Sequence, residues 1–209
     1  MKESDIKHNW YYFRSLANQL AETEQFVDHS INDQGKIING NTFSNEFAKL
    51  LMLSSSEFEV ISKSLCIESG IKVAKNVNIV TISKALLNLY PLIGETAIST
   101  PYKTIKPLKD WKIIQKQNKK GKTEEKLDGL SWWTPHNLIK HDRNNNFELA
   151  NLQNCVDSLA SLMVLELYLS YIVLGNINKI KATGCKYFDC EYGLENLMVN
   201  PGRLLPDFN

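Results

Sequence analysis

Apolar residues recur along most of this chain at intervals of three and four, the period of an α-helix with one buried face. From Ile6 the series runs through Trp10, Phe13, Ala17, Leu20 and Val27, with Glu24 filling one step, and predicts an amphipathic helix of about seven turns. A loop follows over 33–41, marked by Gly35 and Gly40. Phe43, Phe47, Leu50, Leu51, Phe58, Ile61 and Leu65 form a second helical series, ended by Gly70. Ser54, Ser55 and Ser56 interrupt it. Because Ser54 with Glu57, or Ser56 with Glu59, fits a capping box, the segment reads either as one kinked helix or as two shorter ones. Thr81 to Tyr90 reads as a third helix, stopped before Pro91.

Residues 95–129 break the period. They hold a lysine-rich run from Lys103 to Lys126, in which basic residues outnumber Asp110, Glu124 and Glu125. The segment reads as a solvated loop or small hairpin pinned to the body by Ile105, Trp111, Ile113 and Ile114. Alternatively it is a basic flap, with Lys119, Lys120 and Lys122 supplying local positive field to a neighbouring site. Beyond it, Thr134 and Pro135 read as an N-cap and first-turn proline of a short helix from His136 to about Asp142, entered from a wall of Trp132 and Trp133. A long helix restarts with Asn146 as N-cap. Its stripe of Leu149, Leu152, Val156, Leu159, Met163 and Leu167 is joined by a second apolar face of Leu162, Leu165 and Leu169. A helix greasy on two faces is central to a bundle or half buried in a partner, and a homodimer is expected on that ground. The tail from Ala182 reads as irregular chain strapped across the surface by Tyr187, Phe188 and Tyr192.

These elements predict one all-α domain over 1–209: a bundle of four to five main helices with an irregular lysine-rich insertion at about 95–130 and an irregular tail at about 182–209. The 209 residues suffice for one sizeable core, and the formal net charge of +1 leaves any anion site to local clustering. The amino terminus has no signal-type apolar run, and Leu159 to Leu174 reads as too short to span a bilayer, so a cytoplasmic location without membrane attachment is expected. Cys66, Cys155, Cys185 and Cys190 read as free thiols, and the ligand set for a structural zinc is incomplete. No metal and no cofactor is expected.

Candidate chemistry concentrates on the short helix. Asn137, Lys140 and His141 fall at i, i+3 and i+4 on one face, and Arg143 follows at the helix end. An imidazole that titrates near neutrality beside two cations suits acid–base work on a phosphate ester, with Lys140 or Arg143 stabilising the charge and Asn137 orienting the ring. Trp132 and Trp133 read first as core anchors and second as a stacking platform for a bound base.

A short polar helix carrying Asn137-Leu138-Ile139-Lys140-His141-Asp142-Arg143 and leading into a long apolar helix resembles the HEPN superfamily over about Phe43 to Leu174. In the superfamily pattern an Arg precedes the His; here Asn137 stands nearest to that place, and Arg143 follows the His. The resemblance implies an RNA-related protein, a metal-independent ribonuclease of toxin or antiphage-defence type, whose homodimer pairs two motifs in one site. The alternative is a noncatalytic helical module that binds a protein or nucleotide partner. An imidazole open to a basic cleft favours the enzyme; one sealed among Leu and Trp side chains favours the module.

Overall fold

The computed structural model describes residues 1–118, 121–176 and 184–190. Five α-helices, α1 (Glu3–Glu22), α2 (Asn45–Glu68), α3 (Ile79–Leu89), α4 (Trp133–Asp142) and α5 (Leu152–Leu174), carry the core. Five short strands accompany them: β1 (Ile98–Ser99), β2 (Thr104–Ile105), β3 (Lys112–Gln117), β4 (Thr123–Asp128) and β5 (Asp189–Cys190). They form two antiparallel sheets, ordered β2-β1-β5 and β3-β4. The all-α expectation is therefore corrected: the fold is mixed, helical in its core, with strands in the insertion and in the tail.

α5 is the central element. Its side chains from Val156 through Ser170, apart from Asp157, are buried, so the apolar surplus that suggested a dimer surface is covered within the chain by its own helices. By length and composition α5 could cross a bilayer, which corrects the shorter reading of this run, but it is the buried core helix here. Asn151, not Asn146, caps it: its Oδ1 accepts from the Asn154 backbone N–H at 3.0 Å, because residues 147–149 take a separate 3₁₀ turn first.

α2 runs parallel to α5. Ser54 Oγ lies 2.7 Å from Ser158 Oγ, and Cys155 Sγ donates to the Phe47 carbonyl. The serines that suggested a break thus sit inside one continuous α2, with the Ser54 hydroxyl satisfied across the helix pair and by the Leu51 carbonyl. Ser44 caps α2 by accepting from the Phe47 N–H at 3.1 Å. α1 packs antiparallel to α2, with the amino-terminal ammonium 2.8 Å from Glu68. α1 ends at Glu22 and gives way to a 3₁₀ turn at Thr23–Gln25, so Val27 lies beyond the helix expected to include it.

The lysine-rich segment is a regular hairpin. Lys112 pairs with Asp128, and the register runs without a break to Gln117 opposite Thr123. Trp111 is buried at its base, as the anchoring reading expects, and Lys84 on α3 pairs with Glu125. In the tail, β5 pairs with β1, and Tyr187 and Phe188 are buried in the core instead of lying over the surface. His29 fixes this segment through Nδ1, 2.9 Å from the Tyr187 hydroxyl, while its Nε2 meets Thr23. Tyr192 lies outside the described residues.

Candidate functional site

α4 begins at Trp133 with Trp132 in the cap position, two residues before the expected cap Thr134, and the His136 N–H bonds the Trp132 carbonyl at 2.9 Å. Pro135 falls in the first turn, where a missing N–H costs no intrahelical bond. The two tryptophans do not form a ligand platform. Trp132 is fully buried with its indole N–H on Ser161 Oγ at 3.0 Å, and Trp133 packs against Phe58 and His136. They are the hydrophobic floor that holds α4 on α2 and α5.

With that face inward, the far side of α4 opens to solvent. Ile139, Lys140, His141 and Arg143 line one wall of a groove of about 620 Å³, and Asn45, Ala48, Lys49 and Met52 from the first turns of α2 line the other. Lys140, His141 and Arg143 are exposed, and no ion pair within the described residues engages Lys140 or Arg143. Lys49 is partnered by Glu46 along its own helix. The groove thus collects three cationic side chains and one imidazole, and it abuts the positive end of α2.

The turn after α4 is tied by asparagines. Asn145 donates to both Asp142 carboxylate oxygens at 3.1 and 2.9 Å, and Asn146 donates to the Asp142 carbonyl at 2.7 Å. This fixes the backbone from which Arg143 projects. Asn137 has a different role from the one expected: its amide donates to the Trp133 carbonyl at 3.0 Å, and it does not line the groove. It braces the first turn of α4 and does not orient His141.

His136 is the sealed imidazole. It is buried, its Nδ1 has no hydrogen-bond partner among the described residues, and burial, reinforced by Lys140 and His141, pulls its pKa down to about 4. Nothing in the local sequence separates it from His141; only the direction in which α4 packs does so.

None of the described lysines of the insertion lines this groove. The hairpin packs on α3, none of its described residues lines the groove, and Lys122 is exposed beside its tip. Of its positive charge, that of Lys112 is matched by Asp128 at 3.6 Å. Lys119 and Lys120 lie outside the described residues. In their place the fold supplies Lys49 and Asn45, which no local motif could have connected to α4.

No family model, no curated protein and no solved structure matches the chain.

Proposed function

We propose that the chain binds single-stranded RNA in the groove between α2 and α4 and cleaves it by acid–base chemistry at His141. The observation that carries this reading is that the His141 imidazole opens into a groove shared with Lys49, Lys140 and Arg143. Cations along one groove suit a phosphate backbone, and the groove is open enough for an unpaired strand to enter. In the proposed step a nitrogen of neutral His141 takes the proton of a ribose 2′-hydroxyl. The oxygen so released attacks the adjacent phosphorus, the bond from phosphorus to the 5′-oxygen breaks, and that oxygen leaves with a proton from solvent. Products are a 2′,3′-cyclic phosphate and a 5′-hydroxyl. Lys140 and Arg143 offset the charge that gathers on the phosphoryl oxygens.

The test uses a fluorescein-labelled RNA oligonucleotide and its 2′-O-methyl counterpart. Wild type binds both and cleaves only the first. His141→Ala retains binding and loses cleavage by about 10² to 10⁴ in rate, the usual share of a general acid or base. Binding of both probes without cleavage of either would leave a noncatalytic RNA-binding groove, and failure of the folded protein to bind either probe would end the proposal.

A further inference from the structure

A second cleft, of about 470 Å³, opens where α1 ends beside the start of α2. Its lining is unlike that of the first groove. Phe47 and Val27 give it an apolar base, Phe26 stands at its side, and Glu22 and Glu46 are its charged residues, with no Lys, Arg or His among them. Phe26 is 81% exposed, the most open large apolar side chain among the described residues. It is carried on ordered backbone: its N–H and that of Val27 both bond the Thr23 carbonyl, at 2.9 and 3.0 Å. Phe43, directly before the α2 cap, is half exposed as well. An aromatic ring held open to water beside an apolar cleft is a surface that a partner can cover.

The charges decide what kind of partner. Glu46 is held by Lys49 along its own helix, whereas the Glu22 carboxylate has no ion-pair partner within the described residues. A carboxylate beside an aromatic face selects a cation that also carries apolar surface. A guanidinium suits this best, because its plane stacks on a ring while its edge bonds a carboxylate. We infer that this cleft is a docking site for a basic peptide segment of a partner protein, in which an arginine engages Glu22 and Phe26 and a neighbouring bulky apolar side chain enters the cleft over Phe47. The site is separate from the RNA groove and does not depend on that reading.

Fluorescence anisotropy with a labelled peptide of alternating arginine and leucine tests it, against a peptide of alternating glutamate and leucine and on the intact chain. Wild type binds the arginine peptide saturably and the glutamate peptide at least about tenfold more weakly. Phe26→Ala and Glu22→Gln each weaken the arginine peptide about fivefold, and both fold normally because the side chains are at the surface. Glu59→Gln, which removes the same charge about 20 Å further along α2, leaves binding unchanged. Equal loss in Glu59→Gln would reduce the effect to net charge and overturn the site, as would binding that is indifferent to Phe26→Ala. Self-association of the wild type that Phe26→Ala abolishes would assign the cleft to a second copy of the chain and overturn the peptide.

Discussion

The His136 ring packs on Trp133 with ring centroids 5.4 Å apart, and its Nδ1 is buried without a hydrogen-bond partner among the described residues. Since burial pulls its pKa to about 4 while the unfolded chain titrates near 6.5, the unfolded state binds the extra proton between those values. Stability is then full above about pH 6.5 and falls as pH drops toward 4, by up to about 3 kcal/mol. Urea denaturation at pH 7 and pH 5 measures this slope. In His136→Leu the slope flattens and stability at pH 7 holds or rises, because the change removes an unpaired polar atom. A slope equal to that of wild type would place the titrating group elsewhere.

Glu166 produces the opposite pH dependence. It is fully buried on α5, both carboxylate oxygens lack hydrogen-bond partners among the described residues, and burial, with Glu57 adding repulsion, raises its pKa well above the usual range. A folded pKa above the unfolded one means that the native state holds a proton that the unfolded state has released. Its contribution to stability is therefore present below about pH 4.5 and is lost as pH rises toward the folded value. Glu166→Met should stabilise the chain by about 1 to 3 kcal/mol at pH 8 and by less at pH 5. Equal gains at both pH values would show that packing, and not ionisation, is responsible.

At the base of the hairpin, Gly129 adopts φ +82°, and a Cβ there would overlap the Asp110 carbonyl. Gly121, near the tip, has φ +73° with open space around it. Both glycines supply a left-handed backbone, but only one also supplies a close approach. Gly129→Ala should cost at least about 2 kcal/mol, and Gly121→Ala about 1 kcal/mol or less. Thermal or chemical denaturation of the two variants side by side checks the difference.

What could be read from the sequence followed the side chains whose burial repeats with the helix period. α1, α2 and α3 were legible from Ile6, Trp10 and Phe13, from Phe47, Leu50 and Phe58, and from the stop before Pro91. Ser54 misled because a serine inside a helix suggests a cap until a partner such as Ser158 satisfies it from another helix. β1, β2 and β5 were illegible because two-residue strands have no period to detect. The β3–β4 hairpin showed only as the small-hairpin alternative, since both its faces are mostly polar and no apolar alternation marks its strands. On α4 the spacing located Lys140, His141 and Arg143, but it could not tell that Asn137 would bond its own helix or that His136 would be the buried imidazole. Lys49, more than eighty residues earlier, enters the site through the fold alone.

That last residue offers the sharpest check of the groove. Lys49 and Arg143 stand on opposite walls, so a strand that lies between them contacts both, whereas a strand held by α4 alone contacts only Arg143. Each phosphate contact removed from a single-stranded complex lowers the slope of log affinity against log salt by about 0.7. Lys49→Ala and Arg143→Ala should each weaken RNA binding and each reduce that slope by about this amount, with nearly additive losses in the double variant. Asn137→Ala should leave the slope unchanged, since its amide is spent on the Trp133 carbonyl. Anisotropy titrations across a range of salt concentrations give all four slopes. A slope that changes in Arg143→Ala but not in Lys49→Ala would place the strand outside the groove, along the exposed face of α4.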